Sequence, residues 1–156
     1  MTRFRPLTRT SHIILAGLQI LIAAAALGQE SHTLLGTNCA VPPLWHCPDS
    51  ACESAVVTQP GNTVEPKTRR TFFLDCPSDY SPGDKVSIVM SLHGAGSYAN
   101  WQRNYFPVMD VKDKYKLVVI TPGSPTRFWQ SEDDQYLQNT VDLVVDAVGK
   151  QNVERF

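Results

Sequence analysis

The stretch Val86-Ser87-Ile88-Val89-Met90-Ser91-Leu92-His93-Gly94-Ala95-Gly96-Ser97 decides how this chain is read. Val86, Ile88, Val89, Met90 and Leu92 form a near-continuous apolar run of strand length, with Pro82-Gly83-Asp84 before it and glycines after it. A run that is apolar at almost every position fits a strand covered on both faces. An ordinary turn at the end of a buried strand would account for those residues. The glycines suggest more, because Gly94 and Gly96 allow a sharp bend that brings backbone N–H groups close to a ligand.

Working outward, residues 97–115 carry Trp101, Tyr105, Phe106, Val108, Met109 and Val111, and Pro107 interrupts any single long helix. Two short helical pieces or one kinked helix are expected there. Lys116-Leu117-Val118-Val119-Ile120-Thr121 reads as a second buried strand, closed by Pro122-Gly123-Ser124-Pro125. Asp133 or Asp134 is placed to cap a helix whose apolar stripe is Leu137, Val141, Val144, Val145 and Val148. Upstream, Arg70 to Cys76 gives a further strand that ends at Pro77. Strand, crossover, strand, helix predicts an α/β fold with a mostly parallel sheet and flanking helices.

The run Leu92 to Ser97, then Trp101, then Leu117 to Pro122, then Phe128-Trp129 and the Asp133-Asp134 pair before a helix resembles one group of secreted enzymes. These are the polyhydroxybutyrate depolymerase and feruloyl esterase group of the α/β-hydrolase superfamily. The resemblance covers about residues 70–156 and implies the N-terminal half of that fold. It also implies a carboxylic ester hydrolase, in which backbone N–H groups at Ala95 and Gly96 hold the developing oxyanion. Removing one such donor typically costs about 3 kcal/mol of transition-state stabilisation. His93 would shape the loop and not act as general base. Gly94, Ser97 and Trp129 are the matching candidates for substrate contact, with packing as the competing role for Trp129.

In that family the next element is a strand leading to a serine on a tight elbow. No Gly-x-Ser-x-Gly occurs among the 156 residues. Ser91, Ser97, Ser124 and Ser131 lack an elbow context, and Asp133 and Asp134 read better as solvated helix caps than as a catalytic acid. The expectation is therefore a partial fold truncated before the nucleophile, inactive alone, acting on an ester substrate only in a full-length form. The other class kept open is a noncatalytic secreted binding protein or a nonfunctional relic of the fold.

The start of the chain bears on compartment. Arg3, Arg5 and Arg9 precede an apolar stretch from Ile13 to Leu27, and Ala26-Leu27-Gly28 offers small residues for cleavage before Gln29. Residues 1–28 read as a signal peptide, with a retained anchor as the alternative. Cleavage would leave a secreted chain, extracellular or periplasmic, with no stable membrane association. Residues 29–69, rich in proline, read as an irregular disulfide-tied extension preceding residues 70–156.

Export would put Cys39, Cys47, Cys52 and Cys76 in an oxidising compartment, where two bridges and three pairings are possible. One arrangement closes Cys39 to Cys52 and pins the extension to the sheet through Cys76. A zinc site at His46 and Cys47 competes, but no close Cys-x-x-Cys pair supports it, and no metal or other cofactor is expected. Trp45 reads as a small hydrophobic anchor ahead of a ligand surface. Without the three leader arginines, eleven basic residues face fifteen acidic ones, which argues against a nucleic-acid partner.

Overall fold

The computed structural model describes residues 32–40 and 61–156. The expected signal peptide and the residues Trp45, His46, Cys47 and Cys52 lie outside the described residues.

A small hairpin comes first, with β1 at Thr33–Leu34 and β2 at Thr37–Asn38. Its turn residues Leu35 and Gly36 both take positive φ, 50° and 79°, as a two-residue primed turn requires. The main sheet contains β3 (Thr63–Val64), β4 (Thr71–Asp75), β5 (Val86–Met90), β6 (Leu117–Pro122) and β7 (Val153–Arg155). Their order is β3-β4-β6-β5-β7. β3 pairs antiparallel to β4 and β4 antiparallel to β6, whereas β5 runs parallel to both β6 and β7. The sheet is thus mixed, and β5 lies inside it with a strand on either side. Its first strand, β3, falls within the segment expected to be an irregular extension.

Pro107 breaks the first crossover as expected. Helix α1 (Ala99–Tyr105) ends where Phe106 is extended, with ψ 121°, and α2 (Val108–Val111) starts afresh after the proline. Helix α3 (Asp134–Val148) joins β6 to β7 and stops at Gly149, whose φ of 88° suits a residue without a β-carbon.

The alternation of side chains along the strands separates two layers. On one face Phe72, Leu74, Val86, Ile88, Val118 and Ile120 pack with Tyr136, Val144 and Val148 of α3. Burying side chains of this size stabilises the fold by ~1.5–3 kcal/mol each. On the other face, Arg103 of α1 lies over the Phe73 ring at 4.9 Å and grips Asp75. The two crossovers, β5 to β6 and β6 to β7, therefore cover opposite faces of the sheet.

The buried stripe of α3 differs from the expected one. Tyr136, Thr140, Val144 and Val148 form it, with Asn139 buried beside them, while Leu137 and Val145 only flank the core. The two hydroxyls can occupy this stripe because each finds a partner: the Tyr136 hydroxyl donates to the Thr71 carbonyl at 2.7 Å, and Thr140 Oγ1 to the Tyr136 carbonyl at 2.8 Å. Burial pushes the Tyr136 phenol up to about 12 against the opposing charge of Arg70.

The disulfide joins Cys39 to Cys76, not Cys39 to Cys52. Hairpin geometry explains this pairing. The Cys39 N–H donates to the His32 carbonyl at 2.7 Å, and the Cα atoms of Cys39 and Cys76 stand 5.1 Å apart, where β4 has just ended.

Candidate functional site

The last bond of the β5–β6 ladder runs from the Ser91 N–H to the Ile120 carbonyl at 2.8 Å. Beyond it the chain leaves the sheet at the C-terminal end of β5. Here the connection from β5 goes to one face and that from β6 to the other, which in open α/β sheets opens a crevice that binds ligands. Leu92 is 42% exposed and belongs to the loop, not to the covered strand expected from its apolar character.

Residues Gly94 to Ser97 form a tight turn, closed by the Ser97 N–H donating to the Gly94 carbonyl at 3.0 Å. Gly96, its third residue, has φ 75°, the signature of a type II turn. The loop after β6 meets this turn directly. The Gly96 N–H donates to the Arg127 carbonyl at 2.8 Å, and Arg127 Nε donates back to the Gly96 carbonyl at 2.9 Å. Arg127 itself holds φ 67°, and its guanidinium lies 4.6 Å from the centre of the Tyr98 ring.

Of the two expected oxyanion donors, Gly96 is therefore engaged with Arg127. Ala95 is exposed, and among the described residues its N–H has no acceptor. Gly94 is exposed beside it, and Ser97 is half-buried and closes the turn.

His93 lies beneath the turn, 2% exposed. Its Nε2 accepts the Ser124 N–H at 3.1 Å and its Nδ1 faces the Gly94 carbonyl at 3.0 Å. Trp129 packs on it: the rings are 4.6 Å apart between centres, tilted by 30°, and the indole N–H donates to the His93 carbonyl at 2.8 Å. In this structure Trp129 braces the loop from below.

Asp133 caps as expected, its carboxylate completing a capping box on the Gln130 N–H at the short 3-10 turn (Ser131–Asp133) that leads into α3, but it is not solvated. It is 5% exposed, and its carboxylate takes Arg70 Nη1 at 2.7 Å and the Gln130 N–H at 3.0 Å, making no side-chain cap bond to α3. Arg70 also donates to the Gly123 carbonyl at 2.8 Å and lies 3.7 Å from the centre of the Tyr136 ring. One guanidinium thus ties the start of β4 to the loop after β6 and to the head of α3.

Sequence reading passed over Arg127, weighed Ser124 only as a nucleophile and took Arg70 only as the start of a strand. The run Pro122 to Pro125 signalled only a break in the chain, and nothing local to Arg127 announces a left-handed residue. Among the described residues, no group of three His, Cys, Asp or Glu side chains could hold a metal ion, and no helix is long and apolar enough to cross a membrane. What the arrangement offers chemically is one backbone N–H without an acceptor among the described residues, on the exposed Ala95 of a loop that leaves the C-terminal end of β5 and is braced by His93, Arg127 and Trp129. No family model, curated protein or solved structure matches this chain.

Proposed function

We propose that this chain carries the oxyanion-binding part of a secreted serine-type carboxylic ester hydrolase of the polyester or feruloyl kind, built on a partial α/β-hydrolase fold, and that alone it does not turn esters over. A single observation carries the reading: the N–H of exposed Ala95, without an acceptor among the described residues, on the loop that follows a parallel interior strand. Such a loop supplies one of two donors to the tetrahedral oxyanion in hydrolases of this architecture, the other coming from the residue after the serine. The Ala95 N–H takes the first role and Gly96 supplies the turn that exposes it. A Gly-x-Ser-x-Gly elbow, absent from these residues, would have to complete the site. The Cys39–Cys76 bridge fits an exported chain.

Two measurements test this proposal. Titrating the labelled chain with methylphosphonate, a tetrahedral anion, is expected to shift the Ala95 amide resonance saturably at millimolar concentrations. An unchanged Ala95 resonance overturns the oxyanion role. Incubation with a fluorophosphonate probe is expected to label no serine and to coincide with no ester turnover; labelling accompanied by turnover overturns the claim of inactivity.

A further inference from the structure

One ring fixes the direction of one peptide. His93 Nε2 faces the backbone N–H of Ser124, a group that only donates, so Nε2 accepts and carries no proton. The ring proton is then on Nδ1, which donates to the Gly94 carbonyl at 3.0 Å. Ser97 donates to the same carbonyl, so both of its lone pairs are used. The Gly94–Ala95 peptide is planar and trans, hence its N–H points opposite to its C=O. Drawing the Gly94 oxygen down onto the buried imidazole turns the Ala95 N–H up, away from the ring. Ser91, which could pull the loop elsewhere, is already engaged: its hydroxyl accepts from Gln102 Nε2 at 2.9 Å.

We infer that His93 is a positioning residue: its Nδ1–H tautomer, selected by the Ser124 N–H, holds the Gly94 carbonyl and so aims the Ala95 N–H at an anionic oxygen in the crevice. The identity of that oxygen rests on the function proposed above; the direction of the N–H does not. The pairing links the β5 loop to the β6 loop through 31 residues of sequence separation. It also gives the buried histidine a task distinct from proton transfer, since neither ring nitrogen is open to a substrate.

The tautomer can be read in the intact wild-type chain by long-range proton–nitrogen correlation of the His93 ring, which should show Nδ1 protonated and Nε2 bare. Finding the proton on Nε2 overturns the inference without any variant. Two substitutions separate the two nitrogens. His93→Asn places an amide N–H where Nδ1 stands and is expected to keep the methylphosphonate shift of Ala95. His93→Gln reaches the Nε2 position and leaves the Gly94 carbonyl without its side-chain donor. It is expected to weaken methylphosphonate binding roughly tenfold, the cost of about one hydrogen bond, with Val119 and Ile120 resonances unchanged.

Equal binding by His93→Gln and wild type overturns the positioning role. If instead methylphosphonate moves nothing in wild type, the Gly94 carbonyl carbon resonance decides: displacement in His93→Gln and retention in His93→Asn support the positioning role while the oxyanion reading falls. No displacement in either overturns the positioning role too.

Discussion

Gly96 and Arg127 occupy the same unusual backbone region for different reasons. For glycine a φ of 75° costs almost nothing, whereas a residue with a β-carbon pays roughly 1–2 kcal/mol for left-handed backbone. Space is not the obstacle at Gly96, because a β-carbon there would find its nearest neighbour, Arg127 Nη2, 3.8 Å away. Gly96→Ala is therefore expected to lower unfolding stability by about 1–2 kcal/mol through conformation alone, measured by urea denaturation, while Gly94→Ala, with open space and no positive φ, should lie well below that. At this scale the sequence was partly legible. Two glycines after an apolar strand spell a tight loop, but nothing beside Arg127 or Ser124 discloses that each returns to a residue about 31 positions earlier.

Strands and helices were legible wherever side-chain pattern and backbone chemistry agree, as at Pro107, which splits the first crossover as its missing N–H demands. Pattern failed where polar groups are buried against partners. The apolar stripe read for α3 leaves out Tyr136 and Thr140, and Asp133 reads as a cap in water, because Tyr136 and Asp133 find their partners, Thr71 and Arg70, at the start of a distant strand, and Thr140 finds its own in a carbonyl one turn back along the helix. Arg103 and Asp75 follow the same logic between α1 and β4, joined at 2.7 and 2.5 Å and both nearly enclosed. Replacing either partner alone leaves a charge in a dry site. Asp75→Asn or Arg103→Met is each expected to destabilise by about 3–5 kcal/mol, and the double variant by much less than their sum. Calorimetric unfolding of the four proteins reads the coupling directly.

The β3–β4 turn makes a second prediction at this scale. Burial opposes charge on Glu65, yet the Thr68 hydroxyl and the N–H groups of Lys67 and Thr68 outweigh it and hold the carboxyl below its ordinary value of 4.5. A group with a depressed value in the fold contributes fully above its unfolded value and loses that contribution as pH falls through the folded one. Stability should hold down to about pH 4.5 and decline below it. Glu65→Gln is expected to be weaker at neutral pH and to flatten the acid limb of thermal melts.

For the whole molecule, the grammar of strand, crossover, strand and helix was enough to anticipate an α/β layer arrangement. It could not anticipate that β6 pairs antiparallel with β4 on its other side, since register across non-consecutive strands leaves no local mark. Cysteine spacing likewise left three pairings open, and proximity after folding chose Cys39–Cys76. That bridge spans 37 residues and should stabilise by about 4 kcal/mol through restriction of the unfolded chain. It also lies at the end of β4 opposite the loops that follow β5 and β6, because Asp75 pairs with Val119 while Phe72 pairs with Pro122. Replacing both cysteines by alanine is expected to lower Tm markedly yet leave the Ala95 response to methylphosphonate intact.

The two-way bridge between Gly96 and Arg127 has a consequence for how such a chain could be lengthened. Grafting even one extra residue between Gly123 and Arg127 would put the second strap out of register with the first, so the two loops can only be remodelled together. The Pro82-Gly83-Asp84 bend has no comparable tie to either loop, and a tag or foreign peptide spliced there should leave the mouth of the sheet undisturbed.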